Sequence, residues 1–247
     1  MIIYDGFGLV ERHDSMGDWR DIVRIARVSH MSLSKDLDED LKLLRNLLKW
    51  SHLSPFEHCQ IIFRIDGIPL YSAEQFLRYR TAKVTKRSYR YVNLLELFNR
   101  ISIGLGEDSD YAIELLFHIP RDIKSNPEAK KEYINHIRVS IAKYKYLVEQ
   151  GIDEEKARGV LPTSLRTEMY YTIDMRNLFH IFSERISPHT QPETREVAKA
   201  MFVETYKYDP VIIENWVEQY GSDYIKSFFD YVLKQDLGKD DDFNLQE

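Results

Sequence analysis

Apolar positions along the chain alternate between helical and strand-like spacing. Leu37, Leu41, Leu44 and Leu48 recur at helical intervals, with Leu43 and Leu47 widening the stripe, and predict a helix over 36–50. Trp19, Ile22, Val23 and Ile25 predict another over 17–28. Residues 2–12 read as a short strand, and 57–66 as a second, with Cys59, Ile61, Phe63 and Ile65 on one face. Pro69 is suited to the first position of a helix running to about Arg80. A helical piece is expected at 93–100, a short strand at 113–119 before Pro120, and a long helix at 127–150 closed by Gly151. A short helix at 153–160 ends before Pro162, and the alternating, Tyr- and Thr-rich stretch 164–173 reads as a strand. Helices follow at 175–186, 190–207, 210–219 and 222–234. No repeat and no linker divides this order. It predicts one helix-rich α+β domain with an antiparallel or mixed sheet.

The 247 residues are 43% hydrophobic and 30% charged, ordinary values for a water-soluble globular chain with a buried core. No apolar run approaches the ~18 residues that a membrane span needs. The start turns acidic at Asp5 and does not read as a signal peptide. A lone cysteine, Cys59, excludes a disulfide framework and points to a cytoplasmic setting.

Charge changes the picture more. The net charge of −6 argues against general nucleic-acid binding. Yet residues 78–91, RYRTAKVTKRSYRY, hold six of the 34 basic residues and no acid, leaving 28 basic against 40 acidic residues, or −12, elsewhere. Such an island is either a solvated loop or a local anion site. Arginine forks bind phosphate bidentately, and a serine hydroxyl between them adds a neutral donor. Ser88 and Arg90 point the same way if the segment is extended, and Gln75 and Arg78 share a face if the preceding helix continues.

A second polar cluster lies at 158–195. Arg176 and His180 share one helix face, and Asp174 and Arg185, eleven residues apart, share another. Asp174 also fits a plain N-cap, and Arg185 a plain ion pair with Glu184 or Glu193. The histidines show no pairing at metal-ligand spacing, so no metal site is expected. Cys59, inward on a strand, reads as core rather than nucleophile.

The island resembles the signature of the flavin-dependent thymidylate synthases (the ThyX type): Arg-x-Arg, seven residues, then Ser-x-Arg-Tyr, here Arg78, Arg80, Ser88, Arg90 and Tyr91. ARVSH (26–30), SHLSPFEH (51–58), RGVLP (158–162), TIDMRNLFHIFSER (172–185) and HTQPETRE (189–196) resemble further blocks of that family in the same order. The resemblance implies a central, mostly antiparallel sheet packed by helices, occupying 1–235 as one synthase domain, with an acidic, frayed tail at 236–247. It implies a homotetramer with active sites shared between subunits, and reductive methylation of dUMP to dTMP. Methylenetetrahydrofolate would supply the carbon, NADPH the reducing equivalents, and FAD would be the bound cofactor.

By the same resemblance, Gln75, Arg78, Lys86, Arg87, Ser88, Tyr89, Arg90, Arg158 and Arg185 are substrate-binding, and Arg185 is catalytic through favouring ionisation of uracil N3. Ser29, His52, Ser54, Arg78, Tyr79, Arg80, Lys86, Asp174, Arg176 and His180 fall at flavin-side positions. The chain departs from the family pattern at Tyr79, where the signature has histidine, and at Thr85-Lys86, where it has Asn-Glu. Asp174 and His180 replace two flavin-side asparagines. Tyr79 can still stack on a ring system, and Lys86 reverses a charge beside the nucleotide. These departures leave open a relative that methylates or hydroxymethylates another pyrimidine nucleotide, or a non-catalytic nucleotide or RNA binder.

Overall fold

The computed structural model describes residues 1–4, 8–34, 36–92, 94–105, 109–235 and 243–244. In chain order the elements are β1 (Ile2–Tyr4), β2 (Gly8–Met16), α1 (Trp19–Arg27), α2 (Leu37–Lys49), β3 (Gln60–Pro69), α3 (Leu70–Phe76) and β4 (Lys83–Lys86). There follow α4 (Leu94–Leu105), α5 (Asp110–Leu116), α6 (Arg121–Lys124), α7 (Pro127–Glu149), α8 (Glu154–Ala157) and β5 (Arg166–Asp174). The last third contains α9 (Met175–Arg185), α10 (Pro192–Tyr208), α11 (Pro210–Tyr220), α12 (Asp223–Leu233) and β6 (Phe243–Asn244). The result is the expected helix-rich α+β fold with a mostly antiparallel sheet, in the strand order β4-β5-β3-β2-β1-β6. β1 and β2 run antiparallel with Ile2 opposite Val10, while β6 joins β1 in parallel. The expected frayed tail lies outside the described residues except for these two residues of β6.

Contacts group the chain into two compact units. The first comprises Met1–Ile65, Leu77–Thr85 and Tyr170–Glu247, and the second Asp66–Phe76 and Lys86–Met169. β3 and β5 each run through both. In the first unit, the apolar stripe of α9 buries Leu178, Phe179 and Phe182. Phe179 stacks on Trp216 of α11 at 5.1 Å, and Phe182 meets Phe202 of α10 edge-on at 5.2 Å. In the second unit, Phe98, Phe117, Ile134, Ile137, Tyr144 and Leu165 form a continuous core. Among the described residues no helix is long and apolar enough to cross a membrane.

Three expectations change. Of the strand expected at 113–119, residues 113–116 are the second half of α5, capped by Ser109 accepting from the Ala112 amide, and Phe117 beyond it makes a strand-like bridge to Leu165. The helix expected to reach Arg80 stops at Phe76, and Pro69 ends β3 instead of opening the helix. Gln75 and Arg78 therefore do not share a helix face. The basic island, read as loop or irregular extended chain, holds the regular strand β4 at Lys83–Lys86. Asn93, at the start of the expected 93–100 helix, and residues 5–7 of the expected first strand lie outside the described residues.

Candidate functional site

The end of the island forms a turn in the second unit. The Arg87 amide donates to the Glu168 carbonyl of β5 at 2.8 Å, and its guanidinium pairs with the Glu168 carboxylate. Tyr89 is buried in the core, and its hydroxyl donates to the Arg166 carbonyl. Burial pushes that phenol above its ordinary pKa. With Arg87 and Tyr89 anchored, the chain closes: the Tyr91 amide donates to the Ser88 carbonyl at 3.1 Å, and the Arg90 amide to the Ser88 hydroxyl at 3.4 Å. Ser88 and Arg90 thus meet in a turn, not along an extended strand as the spacing suggested.

Lys86, Arg87, Ser88, Tyr89, Arg90 and Arg158 line one pocket of about 490 Å³, joined by Leu70, Glu74 and Pro162. Glu155 arranges two of its cations. Its carboxylate holds Arg90 at 3.0 Å, and its carbonyl accepts from Arg158 Nε at 3.1 Å. Five of the expected substrate residues before position 100, and Arg158 from far along the chain, therefore meet around one concavity. Gln75 stands one residue beyond Glu74 on α3 and is not part of the lining. A pocket of this size with several cations and one free hydroxyl suits a small phosphorylated ligand.

The expected flavin residues occupy the first unit. Ser29, His52 and Ser54 line a cavity of about 780 Å³, together with Trp50, Asn46 and His58. Trp50 and His52 lie side by side, ring centroids 6.1 Å apart. Arg176 and His180 line a separate concavity of about 480 Å³ with Asn177 and Tyr220. Asp174 caps α9, accepting from the Asn177 amide at 3.0 Å and from the Asn177 side chain at 2.7 Å. The N-cap reading of Asp174 is therefore the structural one. Arg176 pairs with Glu57. Arg78 and Arg80 stand exposed in the turn after α3 and line none of these three pockets.

At the other end of α9, Arg185 Nε donates to the Tyr79 hydroxyl at 2.7 Å, and that hydroxyl donates to Glu184 Oε2 at 2.8 Å. The ion pair foreseen between Arg185 and Glu184 thus runs through a phenol. Spacing alone did not pick out Glu155, Glu168 or Trp50. Of the partners that matter here, only Glu184 carried a signal, at i+4 from His180.

The family model described as thymidylate synthase complementing protein matches residues 13–211. The chain belongs to this family. It is 35% identical over 207 residues to the flavin-dependent thymidylate synthase of Thermus thermophilus, covering 78% of this chain and 70% of that protein. It is 34% identical over 203 residues to that of Treponema denticola, covering 79% and 73%. Among solved structures it resembles PolB of Streptomyces cacaoi, a UMP/dUMP methylase bound with 5-Br dUMP. That match has a TM-score of 0.69 and 26% identity, and covers 88% of this chain and 97% of the other. Membership makes the basic turn a synthase element and overrides its reading as a solvated loop.

Proposed function

We propose that this chain catalyses the reductive methylation of dUMP to dTMP in the cytoplasm, with methylenetetrahydrofolate as carbon donor, NADPH as reductant and FAD as bound cofactor. The observation that carries the reading is the convergence of Lys86, Ser88, Arg90 and Arg158 on one pocket, within a chain of the synthase family. Arg90 and Arg158 take the phosphate, and the Ser88 hydroxyl adds a neutral donor. Arg185 stabilises the uracil ring with N3 ionised, which raises electron density at C5; a fixed guanidinium does this without transferring a proton.

The first unit's residues fit a flavin. Ser29, His52 and Ser54 offer donors beside the exposed indole of Trp50, which gives a ring system a face to stack on. Arg176 and His180 supply further donors. Bound flavin supplies the hydride that originates in NADPH. We read 1–235 as one catalytic domain acting within a homotetramer. A second reading, action on UMP or another pyrimidine nucleotide, is favoured by the likeness to a UMP/dUMP methylase and by Lys86 in place of the family's acid. RNA binding is disfavoured because Arg87, Tyr89 and Arg90 are already engaged by Glu168, Arg166 and Glu155.

Tritium release from [5-³H]dUMP, with UMP and dCMP in parallel, tests this directly. The FAD-loaded protein with NADPH and methylenetetrahydrofolate releases tritium from dUMP, and Arg185→Ala lowers kcat by about 10²–10³. Full activity in the variant removes the role given to Arg185, and no release from any nucleotide removes the function.

A further inference from the structure

Tyr79, the residue that stands where the family signature has histidine, is built into a closed cluster with three residues of α9. Its hydroxyl lies 2.7 Å from Arg185 Nε and 2.8 Å from Glu184 Oε2. The Arg185 guanidinium also lies over its ring, 5.4 Å from the centroid. His180, one turn before Glu184, meets the Tyr79 ring edge-on at 5.8 Å and 82°, and its Nε2 is 3.5 Å from Glu184 Oε1. Two departures from the family pattern, Tyr79 and His180, are therefore neighbours that share Glu184. Tyr171 of β5 adds its field to both Tyr79 and Arg185.

We propose that Tyr79 is a positioning residue for Arg185: its hydroxyl holds the guanidinium by Nε, while Glu184, braced by His180, holds the hydroxyl. Only a neutral phenol can accept from the arginine and donate to the carboxylate at once. Burial, reinforced by Glu184, pushes the Tyr79 phenol up to about 12, so both bonds persist across the neutral range. Nε is the one Arg185 nitrogen hydrogen-bonded to a described residue, which leaves both Nη groups as donors for the nucleotide ring. The stacked ring limits how far the guanidinium plane can tilt. Tyr79 thus does for the catalytic arginine what a buried carboxylate does elsewhere, without neutralising the charge that the uracil anion needs.

The inference rests on the role given to Arg185 above. The charged and titratable groups facing the arginine are Glu184, His180, Tyr79 and Tyr171. The test follows ionisation of the bound ring, using fluorine NMR of 5-fluoro-dUMP on the FAD-loaded protein across pH. Arg185 lowers the pH at which the bound ring ionises below that of the free nucleotide. Tyr79→Phe keeps the ring contact and removes both hydrogen bonds. It is expected to raise the midpoint by about half a unit or more while changing affinity at neutral pH less than about twofold. In an Arg185→Lys background, which lacks Nε, adding Tyr79→Phe is expected to shift nothing further. A Tyr79→Phe midpoint equal to a lowered wild-type midpoint overturns the positioning role alone. A wild-type midpoint equal to that of the free nucleotide overturns the role of Arg185 and this inference with it. Flavin absorbance and thermal unfolding of each variant report its folding, and should Tyr79→Phe not fold, an unchanged midpoint in Glu184→Gln overturns the proposal.

Discussion

Cys59 shows how environment decides chemistry at a single residue. The thiol is buried on the strand-entry side of β3 and donates to the Asp18 carbonyl at 3.4 Å. Burial, reinforced by Asp21, Asp209 and Asp18, pushes its pKa up to about 12. A raised thiol pKa favours the protonated form, so only about one molecule in a thousand carries a thiolate at pH 9, and fewer at pH 7. An enzyme thiol therefore has no part in the reaction. Cys59→Ala is expected to keep kcat within about twofold, at the modest stability loss of a small buried truncation. Alkylation of the folded wild type by iodoacetamide is expected to stay slow up to about pH 10; rapid inactivation at pH 8 would contradict this.

At the scale of elements, one buried carboxylate ties two helices together. Asp209 caps α11 by accepting from the Ile212 amide at 3.1 Å, and its other oxygen accepts from the Trp19 amide at 2.7 Å, at the start of α1. Desolvation pushes this carboxyl above its ordinary range, while the two amides pull it back. Asp209→Ala removes a cap and strands two buried N–H donors, so it is expected to cost about 2–4 kcal/mol. Urea unfolding at pH 7 reads this as a lower midpoint with an unchanged slope. Boundaries of this kind were legible from pattern: α2, α7 and α9 to α12 begin and end within two residues of the spacing-based expectation. Two were not, for different reasons. The 113–119 run is dense in Ile, Leu and Phe, which suits either period over seven residues, and the Ser109 cap that decides for helix sits outside it. Chain 77–86 has helix-compatible residues, but β4 pairs with β5, and this tertiary pairing overrides local propensity. The same limit governs the site. Arg90, Ser88 and Arg158 were legible by resemblance. Glu155 and Glu168, which orient the arginines, were not, because their proximity depends on the closure of the second unit.

The whole molecule distributes charge and apolar surface unevenly, and both bear on assembly. Six cations of the island sit in a chain otherwise at −12, which favours anionic nucleotides at the turn while the remaining surface repels polyanions. Apolar exposure is concentrated along 28–50 in the first unit: Met31 is 96% exposed, Leu33 85% and Val28 76%, on either side of Ser29 at the wider cavity. So much uncovered apolar side chain beside an expected flavin position argues for cover by a second copy. If one chain's basic turn works with another's Arg185, two inactive variants complement each other. Arg90→Ala and Arg185→Ala, co-expressed in equal amounts, place both native residues at about a quarter of the sites when subunits mix at random. They are expected to restore tritium release to roughly that fraction of wild type, in a species that light scattering shows to contain four chains. Sites formed within single chains leave every site with one defect, and the mixture stays inactive.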